Sequence, residues 1–270
     1  MNKCKLAVIQ MNIVDDKIKN LETLSNFLNK VVEDKVDIAI LPEMFCCPYI
    51  THKFPLYAEH EGDATFTYLS KLAKLHNIYL VAGSIPELDE NNKVYNTSYV
   101  FDRSGNMIGK HRKIHLFDMK IGDKVIQESK TISAGDKVTT FETEFGKFGL
   151  CICYDLRFPE IFNMMVNEGA KAIIVPAAFN MKTGPAHWEL LFKSRAVDNQ
   201  VYTIGCAPSR NLDDKYVSYG NSIVVSPWGD ILNRLDGNEG YFICDIDFNY
   251  VDKIREEFPF IKHKKDKLYK

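Results

Sequence analysis

Short apolar runs alternate along this chain with longer stretches in which apolar residues recur every three or four positions. The runs at 6–9, 38–41, 78–82, 148–153, 172–176 and 201–205 are β-rich and bounded by polar or turn residues, which predicts buried strands. Over 17–32, Ile18, Leu21, Leu24, Phe27, Leu28 and Val31 follow helical spacing, and Phe66, Leu69, Leu72 and Leu75 do the same over 64–76. Strands that alternate with amphipathic helices predict an α/β layer architecture. Residues 96–102 and 107–110 flank Arg103-Ser104-Gly105-Asn106, a hairpin turn signal. A second hairpin-like region, 222–247, contains Pro227-Trp228-Gly229-Asp230. With no internal repeat, low-complexity tract or Pro/Gly/Ser linker, a single domain over 1–270 is the economical expectation. The lysine-rich stretch 261–270 reads either as a solvated tail or as part of a 258–270 segment packed on a partner subunit through Phe258, Phe260 and Tyr269.

Charge and cysteine usage narrow the function classes. The 270 residues carry 34 basic and 36 acidic side chains, a formal net charge of −2. That balance argues against a nucleic-acid partner, which calls for a basic surplus. Seven cysteines are too few for a disulfide scaffold of this size, and their spacing contains no Cys-x-x-Cys pair of the zinc type. Reduced thiols in a cytoplasmic protein are therefore expected, and the odd count leaves room for one reactive thiol; Cys46 and Cys47 read as packed thiols. No apolar run reaches the length of a secretory or membrane segment. The chain contains no phosphate loop, dinucleotide glycine pattern or metal-ligand cluster, so neither cofactor nor metal is expected.

Three segments carry candidate chemistry. In the first, an apolar strand runs into Cys151-Ile152-Cys153-Tyr154-Asp155-Leu156-Arg157, and Pro159 is placed to open a helix. A cysteine at a strand-to-helix junction stands at the carboxyl edge of a sheet, where backbone N–H groups can stabilise a thiolate or an oxyanion. The alternative for Cys153, and the favoured one for Cys151, is a packed core thiol. In the second, the strand at 38–41 leads into Pro42-Glu43, and burial there would raise the carboxylate's pKa and suit it to general-base work. A surface-loop glutamate is the alternative. In the third, Lys110-His111-Arg112-Lys113 reads as a solvated basic cluster, unless Lys113 is buried beside a cysteine, where it would lower the thiol's pKa and neutralise an oxyanion.

Together these pieces resemble the nitrilase superfamily of carbon–nitrogen hydrolases. The resemblance rests on Leu41-Pro42-Glu43-Met44-Phe45, Pro48-Tyr49, Arg112-Lys113-Ile114-His115-Leu116-Phe117-Asp118 and Gln127-Glu128-Ser129-Lys130-Thr131, besides the Cys153 segment. It continues through Thr183-Gly184-Pro185-Ala186-His187-Trp188-Glu189-Leu190-Leu191 and the stretch 194–202, so it runs essentially end to end. Within the superfamily it points to the omega-amidase branch. The resemblance implies a four-layer α-β-β-α sandwich, usually paired across its helices into a homodimer. It also implies amide hydrolysis through a Cys153 thioester, with Glu43 as base and acid and with Lys113 and the Tyr154 N–H holding the oxyanion. Glu128 is implied as a supporting carboxylate beside Lys113. Tyr49, Arg157, Phe179, Met181 and Thr183 are implied as substrate-binding, with a small α-keto acid amide as the expected partner. For Arg157 the residue-level alternative is an ion pair with Asp155 or Glu160; for Phe179 and Met181 it is plain core. His115 and His187 are read as structural rather than as partners of a Cys–His pair. The alternatives to an omega-amidase are an amidase for deaminated glutathione or N-carbamoyl amines, and a catalytically silent scaffold.

Overall fold

In the computed structural model, which describes residues 2–121, 124–265 and 268, the apolar runs become the strands of two packed sheets. The first sheet runs β15 (Gly240–Asp247), β1 (Lys3–Gln10), β2 (Ile38–Ile40), β3 (Tyr79–Val81), β5 (Val94–Phe101) and β4 (Ile85–Leu88), with β6 (Met107–Arg112) on the other edge of β5. The second runs β14 (Ile231–Arg234), β13 (Ile223–Val225), β12 (Tyr202–Cys206), β11 (Ala172–Pro176), β10 (Gly146–Leu150) and β9 (Thr139–Thr143). At the centre of each sheet are three parallel strands, β1, β2 and β3 in one and β10, β11 and β12 in the other. A separate ribbon pairs β7 (Asp118–Ile121) with β8 (Lys124–Gln127).

Strand alternation explains the four layers. On β1, Leu6 and Val8 face the second sheet, where they pack with Phe148, Ile174 and Ile204, whereas Ala7 and Ile9 face the opposite way. Against that outer face lie α1 (Lys17–Val31) and α3 (Ala64–His76), through Leu24, Phe27, Leu28, Leu69 and Leu72. On β11, Ile173 and Val175 point outward to Phe162 and Met165 of α4 (Pro159–Asn167) and to Trp188 and Phe192 of α5 (Thr183–Asn199). The order is helix, sheet, sheet, helix, as the family resemblance implied. A short helix α2 (Phe54–Tyr57) and α6 (Phe248–Glu257) complete the described helices.

Local signals account for the helix ends. Asp16 caps α1 by accepting from the Lys19 N–H at 3.1 Å, and Asn77 closes α3 in the left-handed region at φ 53°. Ile18 and Leu75, which fit the three- and four-residue spacing, are 69% and 74% exposed, because at about 100° per residue each lies well round the helix from the buried stripe of Leu24, Phe27, Leu28 and Val31 or of Leu69, Leu72 and Ala73. The expected hairpin around Ser104 forms between β5 and β6, with Phe101 opposite Met107. The region 222–247 divides instead. Its first half is the β13–β14 hairpin, and β15 crosses to the other sheet and pairs antiparallel with β1 from Lys3↔Asp247 to Gln10↔Gly240. Phe258 packs edge-on to Trp228 at 6.3 Å and to Phe260 at 5.3 Å, while Tyr269 lies outside the described residues. Among the described residues no helix is long and apolar enough to cross a membrane.

One glycine brings the two loops at the end of the first sheet together. Gly83 has φ +52°, and a Cβ there would sit 2.0 Å from the Pro42 carbonyl oxygen. The close approach lets Ser84 N–H donate to Pro42 O at 3.3 Å and Ser84 Oγ accept from Met44 N–H at 2.9 Å, which clamps the backbone on both sides of Glu43. Gly83→Ala is expected to cost roughly 2–4 kcal/mol, since backbone rather than a movable side chain occupies the space. Chemical denaturation of the variant beside wild type measures it.

Candidate active site

The carboxyl ends of the central parallel strands meet on one edge of the sandwich, where α/β sheets commonly bind ligands. β2 ends at Ile40 and delivers Glu43 three residues later, while β10 ends at Leu150 and delivers Cys153. The strand at 148–153 is thus shorter than the apolar run suggested, because Cys153 opens a 3-10 turn, Cys153–Arg157, ahead of α4. Both loops carry a non-glycine residue at positive φ, Met44 at 53° and Cys153 at 47°. Such strained backbone persists only where its surroundings hold it. Lys113 follows β6, and Glu128 opens a 3-10 turn directly after β8.

These elements bring Glu43, Lys113, Glu128 and Cys153 into one cluster from which solvent is nearly excluded. The Lys113 ammonium lies 3.1 Å from Glu43 Oε1, 3.0 and 2.9 Å from the two Glu128 carboxylate oxygens and 3.3 Å from Tyr49 Oη. Tyr49 in turn donates to Glu128 Oε1 at 2.5 Å, and the Phe117 N–H donates to Glu128 Oε2 at 2.7 Å. Glu43 accepts further bonds from Asn96 Nδ2 at 2.8 Å and from the Ala178 N–H at 2.7 Å. Ala178 follows β11, so one carboxylate ties the two sheets together at the site.

Electrostatics divides the labour among these groups. Burial raises the Glu43 pKa and Glu128 adds to the rise, while Lys113 and the hydrogen bonds oppose it. Burial alone would strip the Lys113 proton, but Glu128 and Glu43 outweigh it and hold the side chain as an ammonium. The Cys153 thiol is pushed well up by burial and by Glu43, with Lys113 opposing. The lysine therefore does not leave a standing thiolate, as a Lys–Cys pair on its own would have done. The arrangement is a buried thiol whose ionisation is disfavoured, in one cluster with a buried carboxylate of raised pKa and a fixed cation.

The remaining expected residues take distinct places. Cys153, Tyr154, Arg157, Phe179, Thr183 and Tyr216 line a cavity of about 10 Å³, room for one water-sized occupant. Arg157 makes no ion pair among the described residues. Its guanidinium lies 5.1 Å from the Phe179 ring centre and 5.7 Å from that of Tyr154, with Nη1 3.3 Å from His187 Nδ1 and a buried Nε that has no partner. Asp155 is engaged by His111 and His115 instead. Met181 lies apart, 39% exposed, on an outer groove of about 860 Å³ that reaches the site at Tyr49 and Tyr216. Glu43 is fully buried, so the surface-loop alternative for it does not hold, and Glu128 is buried as well. All seven cysteines are unpaired and buried, Cys46 and Cys47 included. Asn96, Ala178 and Tyr216 escaped sequence reasoning. Asn96 had a signal, an amide inside an apolar strand, but Ala178 contributes only its main chain.

Residues 5–256 match the family described as carbon–nitrogen hydrolase. The chain belongs to that family. Human omega-amidase NIT2 is 43% identical over all of this chain and 98% of its own length. Saccharomyces cerevisiae omega-amidase NIT3 is 42% identical over 99% of this chain and 95% of its own length. The crystal structure of that yeast Nit3, a member of the nitrilase superfamily, superposes with a TM-score of 0.89 over 96% of this chain and 95% of that one. The NitFhit protein of C. elegans, 32% identical, reaches 0.92 over all of this chain and 67% of that one. The carbon–nitrogen hydrolase fold and the nitrilase-type layers are thus common to all of them.

Because Asn96 stabilises the ionised form of Glu43, Asn96→Ala is expected to raise the Glu43 pKa further. The rate of Cys153 alkylation by iodoacetamide, followed by mass spectrometry across pH, reads this. Its acidic limb should lie above the ordinary glutamate value of 4.5 in wild type and move to higher pH in the variant.

Proposed function

We propose that this carbon–nitrogen hydrolase is an omega-amidase, which converts the distal amide of α-ketoglutaramate or α-ketosuccinamate to a carboxylate and ammonia. The observation that carries the reading is the burial of Cys153 in one cluster with Glu43, Glu128 and a Lys113 ammonium ion-paired to both carboxylates. Full-length similarity to proteins named omega-amidases supports the substrate class.

In this mechanism Glu43 takes the thiol proton as Cys153 attacks the amide carbonyl. Forming the nucleophile only on attack suits a site whose burial disfavours a standing thiolate. The Lys113 ammonium and the Tyr154 N–H hold the oxyanion. Tyr154 lies in the first turn of the Cys153–Arg157 3-10 helix, where N–H groups lack intrahelical acceptors. Glu43 then gives its proton to the departing ammonia, accepts one from the water that attacks the thioester, and returns it to the Cys153 sulfur as the C–S bond breaks. Glu128 keeps Lys113 charged and aimed without exchanging protons with substrate. Arg157, with its unsatisfied Nε, suits the substrate carboxylate, and Phe179 and Thr183 form the walls beside it. Tyr49 borders the site through its hydroxyl, and Met181 serves the outer approach.

The same reading takes residues 1–270 as one hydrolase domain that works in the cytoplasm, where unpaired thiols are stable, and pairs with a second copy. Leu190 and Val197 on α5, with Trp228 and Phe258 beside them, are 64%, 41%, 55% and 53% exposed and suit such a contact. Light scattering is expected to give twice the chain mass for wild type and a reduced mass for Val197→Glu; a monomeric wild type would remove the dimer. A substrate panel tests the chemistry. Wild type should show a higher kcat/KM for the two α-keto amides than for deaminated glutathione or an N-carbamoyl amine. Cys153→Ala should release ammonia at least about 10⁴-fold more slowly, and Arg157→Gln should raise KM about tenfold or more as a charged contact is lost. No ammonia from either keto amide would sink the assignment.

A further inference from the structure

Asp155 lies two residues after Cys153, is fully buried and takes part in none of the proton transfers described. Its carboxylate nevertheless accepts hydrogen bonds at every side. Oδ2 accepts from the Ile152 N–H at 3.0 Å and from His111 Nε2 at 3.0 Å, and Oδ1 accepts from the His115 N–H at 2.9 Å and from His115 Nδ1 at 2.7 Å. Since a carboxylate only accepts, both ring nitrogens that face it carry protons. Burial works against the charge, but the hydrogen bonds from His111 and His115 outweigh it and hold the carboxyl well below its usual range.

The placement of these partners is what matters. His111 and His115 stand two residues before and two residues after Lys113, while Ile152 immediately precedes Cys153. A single carboxylate on the cysteine turn thus grips the lysine segment on both flanks and the entry to the strained Cys153 backbone at φ 47°. The other end of the same turn is held by the buried Arg195 of α5, which donates from Nε to Leu156 O and from Nη2 to Arg157 O, each at 3.0 Å. Capping a turn alone needs no buried charge, and a buried carboxylate is costly to install unless several donors meet it. The outlay is explained if the carboxylate joins two segments that have to keep a fixed separation. The histidines reach Asp155 from β6 and from the loop after it, so the spacing is set across sheets rather than within one element.

We propose that Asp155 is the positioning residue that sets the separation of Lys113 and Cys153, acting on the lysine segment through His111 and His115 and on the cysteine turn through the Ile152 N–H. The inference rests on the amidase reading for its kinetic arm, but not for its chemical one. Asp155→Asn keeps the shape and loses the charge and at least one acceptor. It is expected to lower kcat for α-ketoglutaramate about 100-fold with KM within threefold of wild type, the effect of a misplaced reacting group. Alkylation of Cys153 by iodoacetamide should slow about tenfold or more in the same variant, as the thiol loses its alignment with Glu43. His115→Phe removes the ring donor but retains stacking on Phe158, now at 3.6 Å and 10°, and should cost about tenfold in kcat, because the main-chain N–H still reaches Asp155. A folded Asp155→Asn protein with kcat and alkylation rate within twofold of wild type would overturn the proposal, as would a lowered Tm with unchanged kcat per folded molecule. Should Asp155→Asn not fold, His115→Phe decides, and kcat within twofold of wild type would count against the proposal. If wild type releases no ammonia from any amide, the amidase reading fails, and the alkylation rates alone still judge the role of Asp155.

Discussion

The site is organised around a buried ammonium. Lys113 lies out of contact with water, and it stays charged only because Glu43 and Glu128 each lie about 3 Å from its nitrogen. Removing one partner from a buried ion pair typically costs about 3–5 kcal/mol, since the charge that remains has neither water nor counter-ion. The cluster therefore demands that three loops from distant parts of the chain arrive together. What it obtains for that constraint is a cation that does not reorganise and a base whose proton affinity is tuned by the same neighbours.

The double-sheet architecture meets the demand because each sheet delivers a different part. Glu43 and Lys113 follow strands of the first sheet, Cys153 and the Ala178 N–H follow strands of the second, and Glu128 comes from the turn after the small β7–β8 ribbon. The shared apolar layer between the sheets fixes their relative position, with Leu6, Val8 and Ile40 packed against Phe148, Ile174 and Ile204. Close packing makes such an interface nearly incompressible, so groups at its edge inherit its precision. Backbone strain at Met44 and Cys153 is tolerated where both loops are pinned by buried hydrogen bonds.

Much of this was legible in the residue order. The alternation of β-rich runs and amphipathic stretches located the central strands, α1 and α3, and the order Glu43, Lys113, Cys153 within recognisable segments picked out the chemistry. The errors share a cause. Ile18 and Leu75 fit three- and four-residue steps yet face solvent, because successive steps of three drift round the helix and only packing shows which stripe is buried. The 222–247 region looks like one hairpin from its turn residues, but β15 leaves for the other sheet, where β1 offers eight residues of pairing. The thiol of Cys153 is not depressed by its lysine, since the net sign depends on burial and on a third charge, Glu43, neither of which adjacent residues report.

The sequence by itself determined the layer type, the family and the residue types that meet at the site, because periodicity, turn chemistry and short spaced motifs are local properties. Only the tertiary structure decided which way each charge leans and who holds it. Tyr49 against Glu128, Asn96 and the Ala178 N–H against Glu43, and Asp155 between His111 and His115 are contacts between residues 40 or more positions apart in every case, and as many as 135 in one. Hydrogen bonds of that span are set by how two sheets stack, and electrostatic energies depend on the distances and the exclusion of water that stacking creates.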